Sequence, residues 1–318
     1  MGSVQEADPT PAIDMLADLP LATWLNYHAF RLAYLGGYLR AFHRVLARGL
    51  GVEPRLLLDW SELNADDAGA RLAEALIERA PTLDAWLAAR TAAGIVHTVV
   101  LHEDPGTAFP VPPADLEVMA EAAAPLRDRV SLLAGIAPGR ARETLLRAEA
   151  LGLRGVAASP FMVRIPASDE AWEEVWRFCD ERGWVAWVHT SSHFWSDSPA
   201  EIGHPRHLEA VARRHPNLTL IAGHAGFPWT EAMVEVARAH PRVFYDLSTL
   251  RPSRLPQGEL RPLWDAATGQ QSDRLLFAAG NLGSDPAKLL GELDGLSTSP
   301  EVRHAWRYGN AARLLGLK

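Results

Sequence analysis

From about residue 94 onward, short apolar runs alternate with segments of helical period, and this alternation constrains the fold more than any other feature. The runs fall at residues 95–101, 130–137, 155–158, 184–189, 218–222, 243–247 and 275–279. Most gaps between them carry an amphipathic helix pattern. In residues 169–182, Ser168 suits an N-cap, Ala171, Val175 and Phe178 share one face, and Gly183 ends the element. Residues 206–214 follow Pro205, which suits a first helical turn. Repeated βα units build a parallel sheet. With residues 12–16 as a first strand there are eight, which predicts an α/β protein with a (β/α)8 barrel.

Residues 23–92 break the rhythm. They carry helical stripes (Trp24, Tyr27, Leu32, Leu35, Leu39, Phe42) and no strand signal, so they are expected to form an α-helical insertion after strand one that packs on the barrel. Residues 1–11 read as a loose tail, and 12–318 as a single domain. The 318 residues are 48% hydrophobic and 22% charged, enough for one large core. A net charge of -8 without a basic run excludes nucleic acid as the expected partner. The lone cysteine, Cys179, fits a reducing compartment, and no long uncharged apolar stretch predicts a membrane span. The expected setting is cytoplasmic and the expected partner a small-molecule substrate, with a homo-oligomer left open.

In a barrel of parallel strands, chemistry gathers where the strands end. His189 closes the fifth run and His224 follows the sixth. A neutral imidazole can ligate a metal or move a proton near neutral pH. Around this pair the other strand ends contribute Asp18, His102-Glu103-Asp104, Ser159 with Arg164 nearby, Thr190, His193, Asp246, Ser248 and Asn281. Trp195 and Trp229 follow strand ends and are expected to wall a flat substrate. Trp187 is expected to serve packing. Arg164 and Arg251 are candidate anchors for a substrate carboxylate. Asp285, after Ser284 and before Pro286, reads as a helix cap rather than a site group.

Three segments carry a resemblance to a known family. They are 204–226 with its Ala222-Gly223-His224-Ala225-Gly226 ending, Trp187-Val188-His189-Thr190, and the closing Asn310-Ala311-Ala312-Arg313-Leu314. Together they resemble the amidohydrolase superfamily, in the amidohydrolase-related branch that includes aminocarboxymuconate-semialdehyde decarboxylase. The resemblance covers residues 94–318 well and the first hundred poorly. It implies a barrel enzyme acting by hydrolysis or non-oxidative decarboxylation with one divalent metal, zinc or manganese. It implies His189 as metal ligand and His224 as ligand or acid/base. It also implies a first-strand His-x-His, where this chain has Leu16 and Asp18, and an eighth-strand aspartate, where it has Gly280. The two lysines, Lys288 and Lys318, exclude a carbamylated lysine after strand four.

Three expectations therefore stand. A divergent metal site would draw on His189, His224, His102 and Glu103, with Asp18 and Arg164 in catalytic roles and Trp195, Trp229, His193, Arg251 and Asn281 on the substrate. A metal-free lyase, isomerase or cyclase would use histidine acid/base chemistry with no cofactor. An inactive barrel would only bind a ligand.

Overall fold

The structure is a computed structural model that describes residues 10–280 and 284–317. Eight strands form one parallel sheet in sequential order: β1 (Ala12–Ala17), β2 (Ile95–Leu101), β3 (Val130–Ile136), β4 (Gly155–Ala158), β5 (Val185–His189), β6 (Thr219–Gly223), β7 (Val243–Asp246) and β8 (Leu275–Leu276). Helices alternate with the strands, and the architecture is the (β/α)8 barrel. Ile13, Met15, Val99, Leu133, Ile221 and Leu276 fill its interior, while a larger apolar layer lies between the strands and the helices.

β8 is shorter than the expected 275–279. Its chain leaves the ladder because Phe277 N–H donates to the Trp306 carbonyl (3.1 Å) and Ala279 N–H to Asp14 Oδ1 (2.8 Å). Closure toward β1 uses Met15 N–H to the Phe277 carbonyl (3.0 Å) and Gly280 N–H to the Leu16 carbonyl (3.1 Å). Asp14, fully buried, also takes Arg90 Nη1 at 2.7 Å, so one carboxylate ties β1 to β8 and to the helix before β2. Burial pushes its pKa up, against the pull of Arg90. The C-terminal Asn310 has a structural use: its side-chain amide donates to the Ser272 and Leu275 carbonyls, both at 2.9 Å.

The helix expected at 169–182 divides into a 3-10 turn, Glu170–Trp172, and an α-helix, Glu173–Arg182, ended by a left-handed Gly183. Its cap is Asp169 rather than Ser168, because the Ser168 hydroxyl meets His207 Nδ1 at 2.8 Å. The helix expected at 206–214 spans Pro205–Arg214, and Asp285 caps Pro286–Asp294 through Lys288 N–H.

Five helices lie between β1 and β2: α1 (Ala22–Tyr34), α2 (Tyr38–Leu50), α3 (Pro54–Trp60), α4 (Ala65–Arg79) and α5 (Leu83–Ala92). Of the expected tail, only Thr10 and Pro11 are among the described residues. Among those residues, no helix is long and apolar enough to cross a membrane.

Candidate active site

A cavity of about 220 Å³ opens at the C-terminal ends of the strands. His189, His224, Trp187, Glu103 and Asp18 reach it from the barrel, and Arg31 and Tyr38 reach it from α1 and α2. Side chains alternate faces along a strand, so residues two apart share a wall. Trp187 and His189 show this on β5, as do Leu101 and Glu103 at the end of β2. Trp187 therefore lines the cavity and does more than pack. Gly223 makes room for its ring: a Cβ there would lie 2.2 Å from Trp187 Cζ2.

The two imidazoles meet edge to face, with centroids 4.9 Å apart and planes at 75°. Immediately after β6, His224 and Ala225 take left-handed backbone at φ 61° and 49°. Such conformations are uncommon outside glycine and cluster where function requires them. His224 Nδ1 lies 3.1 Å from the Ser248 carbonyl and 2.7 Å from Ser248 Oγ. A carbonyl only accepts, so Nδ1 carries the proton and the neutral ring keeps its lone pair on Nε2. The Ser248 hydroxyl in turn bonds Asp246 Oδ1. Asp246 is fully buried and is further held by Trp187 Nε1–H (2.6 Å), His224 N–H (3.1 Å) and Ser248 N–H (2.9 Å). This places a carboxylate behind His224 through a serine hydroxyl, an arrangement that orients a general base.

Burial holds His224 below the ordinary imidazole range, partly opposed by Asp246. Burial lowers His189 much further, and the neighbouring His224 and His193 add to the effect. Both rings are therefore neutral at neutral pH. His189 Nδ1 is buried without a side-chain hydrogen-bond partner among the described residues, and Nε2 lies 3.4 Å from Ser191 Oγ. Arg31 is buried, and its Nη1 lies 3.0 Å from Glu103 Oε1 and 2.9 Å from Oε2. Tyr27 hydroxyl donates to the same carboxylate at 3.1 Å.

Several expected site residues stand elsewhere. His102 lies outside the cavity with both nitrogens engaged: Nε2 on the Ala114 carbonyl (2.9 Å) and Nδ1 accepting from Gly135 N–H (3.0 Å). Arg164 is exposed, donates to the Ala108 carbonyl and lies 4.9 Å over the Trp195 ring. Trp195 packs on Phe109 and Trp229 on His204, and neither lines the cavity. Arg251 pairs with Glu292 away from the histidines. His193 does line the cavity, stacked on Phe161 at 4.8 Å, and its Nε2 meets the Pro199 carbonyl at 3.1 Å. Asn281 lies outside the described residues.

The donor set fits a divalent metal poorly. Among the described residues no group of three or more His, Cys, Asp or Glu side chains could hold one. Leu16 lines the wall where a first-strand histidine would stand, Asp18 accepts from Trp24 Nε1–H (2.8 Å), and Glu103 is paired with Arg31. Of the three imidazoles in the lining, His193 is engaged through Nε2 with the Pro199 carbonyl, and His189 and His224 alone are fewer than the three protein ligands usual for catalytic zinc.

Comparisons with known proteins agree with this architecture. A family model described as amidohydrolase matches residues 33–317. No curated protein matches the sequence. Among solved structures, an uncharacterized TIM-barrel protein from Bordetella bronchiseptica is 19% identical, with 96% of this chain and 99% of that one covered and a TM-score of 0.74. A 2,6-dihydroxybenzoate decarboxylase from Rhizobium is 19% identical over 77% of this chain and 92% of that one, with a TM-score of 0.60. A 5-carboxyvanillate decarboxylase from Novosphingobium aromaticivorans, complexed with manganese and a nitrobenzoic acid, is 15% identical over 98% of this chain and 97% of that one, with a TM-score of 0.61. At these identities the likeness concerns the fold.

Proposed function

The chain belongs to the amidohydrolase family, and from that premise we propose that it is an enzyme hydrolysing a small, flat carbonyl compound by acid/base catalysis without a metal. One observation carries the reading: the Ser248 carbonyl fixes the proton on His224 Nδ1, so a neutral ring presents Nε2 as a base. Nε2 takes a proton from water as the water oxygen bonds the substrate carbonyl carbon. The bond from that carbon to the leaving oxygen or nitrogen then breaks, and the proton on Nε2 passes to the leaving atom. Arg31 and the His189 ring line the chamber and supply polar contacts for the substrate oxygen.

Hydrolysis suits the chamber better than decarboxylation. The guanidinium that lines it, Arg31, is already paired with Glu103, and the histidines are neutral, so among the described residues the lining offers a reacting carboxylate no free cation. The aromatic wall suits a planar head, and a cavity of roughly 150 Å³ already accepts benzene. The inner volume of about 220 Å³ thus takes one substituted ring.

The test is turnover of aryl lactones, esters and amides in ¹⁸O-water with chelator present. One ¹⁸O in the acid product supports the reading. Release of carbon dioxide, or activity abolished by chelator and restored by metal, would overturn it. The pH profile has a defined sign. Catalysis needs neutral His224, whose pKa lies below the ordinary value of about 6.5. The rate is therefore flat across neutral pH and falls on the acid side, with its midpoint below 6.5. A ligand that binds without turnover would favour the inactive barrel.

A further inference from the structure

The concavity continues beyond the inner chamber. A second chamber of about 410 Å³ shares Tyr38, Phe42, Thr249 and Leu250 with the first. Tyr38 and Phe42 lie with ring centroids 4.5 Å apart, tilted by 31°, and form the partition, with Phe194 edge-on to both at 5.5 and 5.7 Å. Leu46 and Leu289 give the outer chamber an apolar lining, which also carries charged side chains. Arg48, Arg251 and Lys288 line it against Asp285 and Glu292.

The outer cations are not equivalent. Arg251 is matched by Glu292, which also accepts from Ser253 Oγ at 2.8 Å. The Asp285 carboxylate accepts from Lys288 backbone N–H as a helix cap. Among the described residues, neither the Lys288 ammonium nor the Arg48 guanidinium makes an ion pair within 4.0 Å. Two unmatched cations thus border an apolar chamber that opens onto the catalytic one.

We infer that the outer chamber is a substrate subsite for the anionic end of an elongated molecule, whose uncharged planar head occupies the inner chamber. Among the described residues the inner lining offers an anion no free cation, because Arg31 is paired with Glu103. The outer lining carries more cation than carboxylate and favours one. Size requires the same orientation, because the inner volume is filled by a single ring and the remainder of a longer substrate extends past Tyr38 and Phe42. The assignment rests on the proposed function only for which end reacts; the binding polarity stands without it.

Calorimetry with a series from phenylacetate to 8-phenyloctanoate, each paired with its neutral amide, tests the subsite. Acid and amide are expected to bind alike at short chain length. At the length that reaches Lys288 and Arg48, the acid is expected to bind at least about tenfold tighter, equivalent to roughly 1.4 kcal/mol. Lys288→Met with Arg48→Met brings the pair back within about twofold, and these exposed substitutions leave the fold unchanged. His224→Asn keeps the acid preference, which separates this proposal from the hydrolytic one. Parity of acid and amide at every length, a preference that survives the double substitution, or no binding across the series would overturn the subsite.

Discussion

Replacing His224 with asparagine is expected to lower kcat roughly 10²–10⁴-fold, about 3–5 kcal/mol of barrier, the usual contribution of a positioned general base. Asparagine is the informative choice because residue 224 has φ 61°, a conformation asparagine tolerates better than alanine. The turn after β6 survives and only the proton acceptor is lost. KM is expected to change little, since the chamber's aromatic wall and Arg31 remain. Steady-state kinetics on a hydrolysed substrate, with circular dichroism to verify the fold, give the answer. Removing the hydroxyl in Ser248→Ala has a smaller effect, because the Ser248 carbonyl still holds Nδ1. A His224→Asn enzyme with unchanged kcat would remove His224 from the chemistry.

The second large effect is on stability. Asp14→Ala is expected to cost about 3–5 kcal/mol, because it strands a buried guanidinium and frees the Ala279 N–H. Among the described residues, Arg90 would keep the Thr98 hydroxyl at 3.2 Å and its contact over the Trp86 ring at 4.4 Å. Chemical denaturation reads the loss as a lower midpoint at unchanged slope. Adding Arg90→Met is expected to recover much of it, since an apolar side chain does not need the missing carboxylate. A single substitution within about 1 kcal/mol of the parent would show that this ion pair does not hold the β1–β8 closure together.

The barrel was legible in the sequence because parallel strands buried on both faces read as near-continuous apolar runs, and the spacers between them have helical period. The end of β8 was not legible. Its residues look like strand to position 279, but tertiary partners at Trp306 and Asp14 take the N–H groups a longer strand would place in the ladder. At the site, His189 and His224 could be located from strand ends alone. His102 could not be judged that way, because one step along an extended chain turns a side chain to the opposite face, so Glu103 faces the cavity and His102 the backbone of β3. The same alternation, applied to Trp187 and His189, would have placed Trp187 in the wall. Arg31 and Tyr38 had no local signal. They lie in the helical insertion between the stripe residues, and the docking of α1 and α2 brings them over the barrel mouth. Trp195, Trp229 and Arg164 follow strand ends as expected, yet their loops turn them onto other side chains or backbone.

The proposed catalysis turns on the protonation state of the His224 ring, which long-range ¹H–¹⁵N NMR of the histidine side chains measures directly, with His224→Asn assigning the resonance. At pH 7, His224 is predicted to be neutral with its proton on Nδ1, and to titrate below about 6.5 without added metal. A His224 that is protonated at pH 7, or that carries its proton on Nε2, would contradict the account.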